Sequence, residues 1–194
     1  MKAGKAPRRR NAAATRAAIL KSARKAFARS GYAGAGVREI ARGAGVNAML
    51  VNRYFGSKEQ LFAEVAADTM ASPVLLSSGN LGSQDPATAM ARALVDITAA
   101  GATPLDGFRI MLYSASSARA AEIGREQIEK HHLKTMTAAL RGRKAAQRAA
   151  VVLALVAGFQ VMRQMIGLSA LAEANPQALT EILAPLFRQL ISSD

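Results

Sequence analysis

Residues 37–58 read VREIARGAGVNAMLVNRYFGSK, and the spacing of apolar residues in them decides the fold. Val37, Ile40, Ala41 and Ala44 recur at i, i+3, i+4 and i+7, which lays one apolar stripe along a helix of about two turns. Gly45 ends that helix where a left-handed backbone is cheap only for glycine. Val46 follows as a plug, and Asn47 is a good N-cap for a second helix. That helix offers Val51, Tyr54 and Phe55 for packing and leaves Ala48, Met49, Asn52 and Arg53 on an open face. The small Ala41 lets the two helices cross closely. This is the build of a helix-turn-helix, whose second helix lies in a DNA major groove.

Charge is concentrated on the same segment. Residues 1–60 hold 14 Lys/Arg against two acids, Glu39 and Glu59, whereas the rest of the chain holds 12 against 11. Nearly all of the net charge of +13 therefore accompanies the helix-turn-helix. A basic surface gains affinity for DNA by releasing counterions from phosphates. A merely solvated basic segment does not explain why charge and motif coincide.

At 194 residues the chain is long enough for one large or two small domains with a core. Alanine is abundant, aromatics are few, and no run of alternating β-branched residues stands out, so the chain reads as all-α. It has no cysteine, hence no disulfide framework and no thiolate metal site, which fits a reducing cytosol. Lys2, Lys5 and Arg8–Arg10 open the chain without an apolar segment behind them, so they are not a signal peptide. Residues 1–13 read as a disordered basic arm, 14–60 as the DNA-binding domain and 61–194 as a helical ligand-binding and dimerisation domain.

Around the motif, a first helix is expected from about Thr15 to Ser30, with Ile19, Ala23, Ala26 and Phe27 inward. Gly31 ends it and Tyr32 anchors the loop. Ser57 caps a further helix toward Thr69 with Leu61, Phe62 and Val65 inward. Residues 72–86 are rich in Ser, Gly and Pro and mark a loop. Helices are then expected from Pro86 to about Ala100, broken by Gly101 and Pro104, from Leu105 to Ser117, and from Arg119 to Leu140. The longest apolar stretch runs from Ala145 to Leu171. Its uncharged part, Ala149 to Met162, is too short to span a bilayer and is expected to be a buried helix rather than a membrane segment. Asn175–Pro176 opens the last helix.

Laid end to end, ILKSARKAFARSGY at 19–32, VREIARGAGV at 37–46 and NRYFGSKEQLF at 52–62 resemble the tetracycline-repressor (TetR) family of bacterial transcriptional regulators. Over about residues 15–65 the match is one of sequence, and beyond that one of helix count and order. The resemblance implies a cytoplasmic, nucleoid-associated homodimer that represses genes at a palindromic operator and leaves the DNA when a small molecule enters the C-terminal domain. It also implies individual contacts. Arg38 faces a phosphate or a base. Asn47, Ala48, Met49 and Leu50 lie near the start of the recognition helix, where outward side chains reach base edges. Asn52, Arg53 and Tyr54 grip phosphate or read bases, and Lys58 binds phosphate. The sequence departs from the family at Ala35–Gly36, where a Thr or Ser usually caps the second helix, and at Asn52, commonly Tyr. Asn52 either pairs with adenine, contacts phosphate or stays solvated, and the Tyr54 ring is either DNA-facing or mostly core.

Two other classes compete. An enzyme finds no support: there is no Gly-x-Ser-x-Gly elbow and no phosphate loop. His131 and His132, adjacent on a helix, cannot chelate one metal and are expected on a charged surface. No catalytic residue, cofactor or metal site is expected. A non-specific architectural DNA protein explains the basic arm but not the long, nearly neutral helical domain that follows. In that domain, the helices from about Lys144 to Leu171 and Gln177 to Ile191 hold more apolar surface than one small domain buries. Ala154, Gly158 and Gly167 suit close helix approach, so these helices are expected to pair with their symmetry mates, the alternative being internal core. Arg109, Tyr113, Phe159, Met162 and Arg163 form the expected ligand site. Arg109 and Arg163 read as unpartnered charges on apolar helices, and each must meet an acid, a chain end, solvent or a ligand. The inducer is then mainly apolar, with an anionic group beside one arginine, unless both arginines reach the dimer interface or solvent.

Overall fold

The computed structural model describes residues 6–71, 74–101 and 106–192, with side chains from residue 12 onward. Lys2 and Lys5, the side chains of Arg8–Arg10, Ser72–Pro73 and the expected break at Pro104–Leu105 lie outside the described residues. All regular structure among the described residues is helical. The order is α1 (Ala6–Gly34), α2 (Val37–Gly43), α3 (Ala48–Phe55), α4 (Lys58–Met70), α5 (Ser78–Leu81), α6 (Pro86–Ile97), α7 (Asp106–Ser114), α8 (Ala118–Ile128), a π turn (Glu129–Leu133), α9 (Lys134–Ala139), α10 (Ala145–Gln160), a second π turn (Val161–Met165), α11 (Ser169–Ala172) and α12 (Pro176–Ile191).

The capping signals set most of these starts. Asn47 Oδ1 accepts the Leu50 N–H at 2.9 Å, Ser57 Oγ the Gln60 N–H at 3.1 Å, Asp85 Oδ1 the Thr88 N–H at 3.2 Å, and Asn175 Oδ1 the Gln177 N–H at 2.8 Å. Gly36 caps α2 with no side-chain hydrogen bond, as the missing hydroxyl there implies. The expected basic arm is corrected in part: from Ala6 onward it is helix. Pro7 sits in the first turn, where its absent N–H costs nothing, and no breaker intervenes before Gly31. Gly31 has φ 65° and ψ −176°, a conformation only glycine adopts freely, and it separates the helix proper from a last turn at 32–34.

The chain divides into two compact units, Met1–Thr69 with Leu105–Gln127, and Met70–Pro104 with Ile128–Asp194. These cut across the boundary expected at residue 60, because α4 and α7 pack on α1. In the first unit Phe62 of α4 meets the Phe27 ring edge-on at 5.1 Å between centroids and the Tyr32 ring at 5.2 Å. α7 docks on the end of α1: the Tyr32 N–H donates to Ser114 Oγ at 2.9 Å, and Arg24 pairs with Asp106 at 3.2 Å. A Cβ at Gly31 would sit 2.7 Å from the Tyr113 carbonyl carbon, so glycine is required there twice over. Ile19, Ile40, Val51, Phe55, Leu61, Val65, Ile110 and Ile123 complete this core.

The second unit packs α6 along α12, with Met90, Leu94, Val152, Leu183 and Phe187 in one cluster. Part of the expected loop at 72–86 is helical: Ser77 caps α5, and the Asn80 side-chain amide donates to the Val74 and Leu75 carbonyls. His131 and His132 fall in the first π turn and are half-buried, not on a charged surface as expected. Burial, and less strongly the neighbouring imidazole, hold the His132 pKa below its ordinary value. α10 and its π turn run from Ala145 to Met165, 21 residues, and hold an 18-residue stretch with a mean hydropathy of 1.6, long and apolar enough to cross a membrane by length and composition. Only 17% of that stretch is buried, so it is not the buried helix expected.

Candidate nucleic-acid interface

The recognition helix α3 is fixed by two anchors and exposes the rest. Val51 and Phe55 are buried, Tyr54 is half-buried against the same core, and Asn52 and Arg53 are exposed. Met49 is 78% exposed, more than the other exposed large apolar side chains. Gly45 has φ 68°, which turns the chain sharply between α2 and α3. The Val46 N–H donates to the Ala41 carbonyl at 3.0 Å and Val46 is half-buried, so the plug holds the two helices at one angle. Arg16 lies 4.8 Å from the Phe55 ring centroid and pairs with Glu64, which braces α3 from behind.

The expected DNA-facing residues therefore differ in how free they are. Arg38 and Arg53 are exposed. Asn47 is exposed, but its Oδ1 is committed to capping α3. Ala48 and Leu50 are half-buried, and the Tyr54 ring is mostly core. Lys58 opens α4 with its Nζ 4.6 Å from the Tyr32 ring centroid, and burial lowers its pKa. Sequence reasoning passed over a groove of about 700 Å³ between α1 and α2, lined by Lys21, Lys25, Arg29 and Arg42 among others. Its signal was the i, i+4, i+8 spacing of Lys21, Lys25 and Arg29. Arg29 is ion-paired with Glu39, and Ser22 Oγ donates to the Ile40 carbonyl at 2.8 Å, so the groove walls are tied together.

The expected ligand residues are not brought together within one unit. Arg109 and Tyr113 belong to the first, where the Arg109 guanidinium lies 5.5 Å from the Tyr113 ring. Asp106, three residues before Arg109, pairs with Arg24. Phe159, Met162 and Arg163 belong to the second unit. There Phe159 is buried and Met162 is exposed.

Arg163 is buried, and its hydrogen bonds go to the ends of helices. Nη1 donates to the Val95 carbonyl at 2.7 Å and to Thr98 Oγ1 at 2.8 Å, and Nε donates to the Leu171 carbonyl at 3.0 Å. Val95 lies in the last turn of α6, where carbonyls lack helical partners and the helix dipole is negative. Burial lowers the Arg163 pKa and the Asp96 carboxylate partly restores it. The guanidinium thus clamps α6 to α11. Beside it, α5 and α6 enclose a cleft of about 640 Å³ whose walls are Val74, Leu76, Ala93 and Ile97, with Ser77, Ser78, Asn80 and Asp96 as polar groups.

Two family descriptions match the sequence: "Bacterial regulatory proteins, tetR family" over residues 19–65, and "Tetracyclin repressor-like, C-terminal domain" over 85–191. The chain belongs to the TetR family. As a TetR-family protein it is a DNA-binding transcriptional regulator and not an enzyme. No curated protein matches it. Among solved structures, a TetR-family regulator from Streptomyces coelicolor is 21% identical, with a TM-score of 0.58 over 97% of this chain and 99% of that one. GusR of Salmonella enterica is 16% identical, with a TM-score of 0.72 over 91% and 95%. FadR of Bacillus subtilis, in complex with stearoyl-CoA, is 14% identical, with a TM-score of 0.67 over 91% and 97%. At these identities the likeness is one of fold.

The clamp made by Arg163 has a measurable consequence for this TetR-family fold. Arg163→Met takes the guanidinium donors from the Val95 and Leu171 carbonyls, leaving Val95 only the Thr98 hydroxyl, and is expected to lower the urea-unfolding free energy by about 2–4 kcal/mol. Arg163→Lys recovers part of that, because an ammonium cannot span the same carbonyls as a planar fork. A loss below about 0.5 kcal/mol in both variants, the range of ordinary surface changes, would show that the clamp is dispensable.

Proposed function

We propose that this regulator is a homodimeric repressor that binds a palindromic operator on the nucleoid and is released by a small, mainly apolar ligand. The observation that carries the dimer is the apolar surface of the second unit. Val151 on α10, Met162 on the π turn, Ile166 just after it, and Ile182 and Leu186 on α12 are between 43% and 67% exposed. They form an outward stripe along each helix, flanked by Val152, Phe159, Leu183 and Phe187, which face the core. Gly158 lies within the α10 stripe, and a Cβ there would meet nothing within 4 Å. Its smallness is therefore unused inside the chain and suits a helix approaching from outside. A twofold pairing of α10 and α12 covers this surface, and a twofold dimer matches a palindrome.

The ligand we place in the cleft between α5 and α6. Its walls are apolar, and the structural neighbour FadR is in complex with stearoyl-CoA, which supports an apolar effector in this architecture. Arg163 gives its N–H groups to carbonyls, so the polar end of the ligand is matched to Asp96, Ser77, Ser78 and Asn80 and is cationic or neutral. In a thermal-shift screen, apolar amines are expected to raise Tm, and Asp96→Asn to abolish the gain. Apolar acids that stabilise as well as the amines would return the anionic inducer to the cleft.

The dimer is tested by sedimentation. The wild-type chain is expected to run at twice its 20.4 kDa at micromolar concentration, and Ile182→Glu at the monomer mass with its helical content kept. A wild-type monomer under those conditions would overturn the assembly.

Repression requires a preferred sequence. Lys58→Ala is expected to weaken binding to operator and random duplex alike and to lower the salt slope by about one unit, as for one lost phosphate contact. The wild type is expected to prefer one palindrome by at least about 10³-fold over random duplex. Uniform affinity for all duplexes would make the protein an architectural one instead.

A further inference from the structure

The leading edge of the recognition helix is apolar, and this points to the chemical group it reads. The inference rests on the helix-turn-helix docking in a major groove. The first turn of α3 is Asn47, Ala48, Met49 and Leu50. The Asn47 side-chain oxygen is taken by the Leu50 N–H at 2.9 Å, and Ala48 and Leu50 are half-buried with no polar atom in their side chains. Met49 is thus the apolar side chain that this turn projects, 78% exposed, with no polar reach of its own beyond a weakly accepting sulfur. The polar side chains of the face, Asn52 and Arg53, stand about one turn further along, and Arg38 and Lys58 bring positive charge to the same unit.

A methionine held open to water on a basic surface gains nothing from phosphates. On the major-groove edges of the four base pairs the donors and acceptors are polar, and the one apolar group is the C5-methyl of thymine. We propose that Met49 reads a thymine C5-methyl in each half-site of the operator, with the Ala48 methyl beside it, and that this contact sets the base pair preferred at the first turn of the helix. The thioether chain is unbranched and flexible, so it reaches a methyl on either strand. The preference is therefore for an A·T pair in either orientation, and a cytosine methylated at C5 offers the same group.

The test separates the methyl from the base. Duplexes enriched by the wild-type protein from a random library are resynthesised with deoxyuridine in place of each thymine in turn, which removes the methyl and leaves the Watson–Crick edges intact. At one position per half-site the change is expected to weaken binding about fourfold, and about fifteenfold in both half-sites together, the size expected for one buried methyl each. Met49→Ala is expected to bind the thymine and deoxyuridine duplexes equally, while keeping its preference at the positions under Asn52 and Arg53. Deoxyuridine that costs nothing at every position, or a Met49→Ala variant that stays sensitive to it, overturns the assignment. Failure to enrich any sequence would instead bring down sequence-specific binding itself, and is recognised because no preferred duplex exists to substitute.

Discussion

The edge-on contact of Phe62 with Phe27 and Tyr32 is the interaction on which the DNA-binding unit depends. Three elements meet there: α1 supplies Phe27, the reversal after Gly31 supplies Tyr32, and α4 supplies Phe62. The helices α2 and α3 are only about two turns each, too short to be stable alone. Their angle is held because Ile40, Ala41, Val51 and Phe55 close over the same core that the aromatic rings fill. Lys58 rests on the outer face of Tyr32, so the ring that stabilises the core also positions a cation at the start of α4. Stability and the placement of charge are set by the same side chains.

Local signals made most of this unit legible. Gly31 and Gly45 have positive φ where the helical pattern breaks, and Asn47 and Ser57 cap the helices that follow them. Each signal acts over a few residues, so each can be read from a short window. The partition of the chain into units was not legible, because it depends on contacts between positions far apart in the chain. Ser114 accepting the Tyr32 N–H and Asp106 pairing with Arg24 are ordinary residues in ordinary helices, and nothing beside them in sequence announces the partner. Arg163 shows the same limit from another side. A charge in an apolar helix signalled that a partner had to exist. That the partners would be carbonyls at the end of α6 and in α11 depended on how three helices meet.

The two units leave surfaces of opposite character exposed, and each bears on function through what it lacks. The first carries 17 Lys/Arg against seven acids, and exposed like charges repel one another until an anion covers them. The second has little net charge but an 18-residue helical stretch of mean hydropathy 1.6 in which only 17% of the residues are fully buried. Apolar surface of that extent on a single chain is costly in water and signals a partner. The bounding arginines set the character of the outer face of α10. Arg163 is turned inward to carbonyls, and Arg148 reaches the Leu190 and Ser192 carbonyls at the end of α12. Both cations of the helix are spent within the protein, joining α10 to its neighbours, so the exposed stripe through Val151, Gly158 and Met162 carries no charge. Such a face is complementary to another copy of itself, since a twofold axis sets each residue against an equally apolar one.

The recognition helix extends the same reasoning to sequence choice. Capping takes the Asn47 side-chain oxygen at its start, and packing buries Val51 and Phe55 and half-buries Tyr54, so the most open side chains of the helix are Met49, Asn52 and Arg53. A stable N-cap and a polar reading head compete for the same residue, Asn47. The fold resolves the competition in favour of the cap, because so short a helix without one would fray at the end that enters the DNA. The cap thereby withdraws the Asn47 acceptor from the face that the proposed docking turns to the groove, and leaves Met49 as the apolar contact at that end.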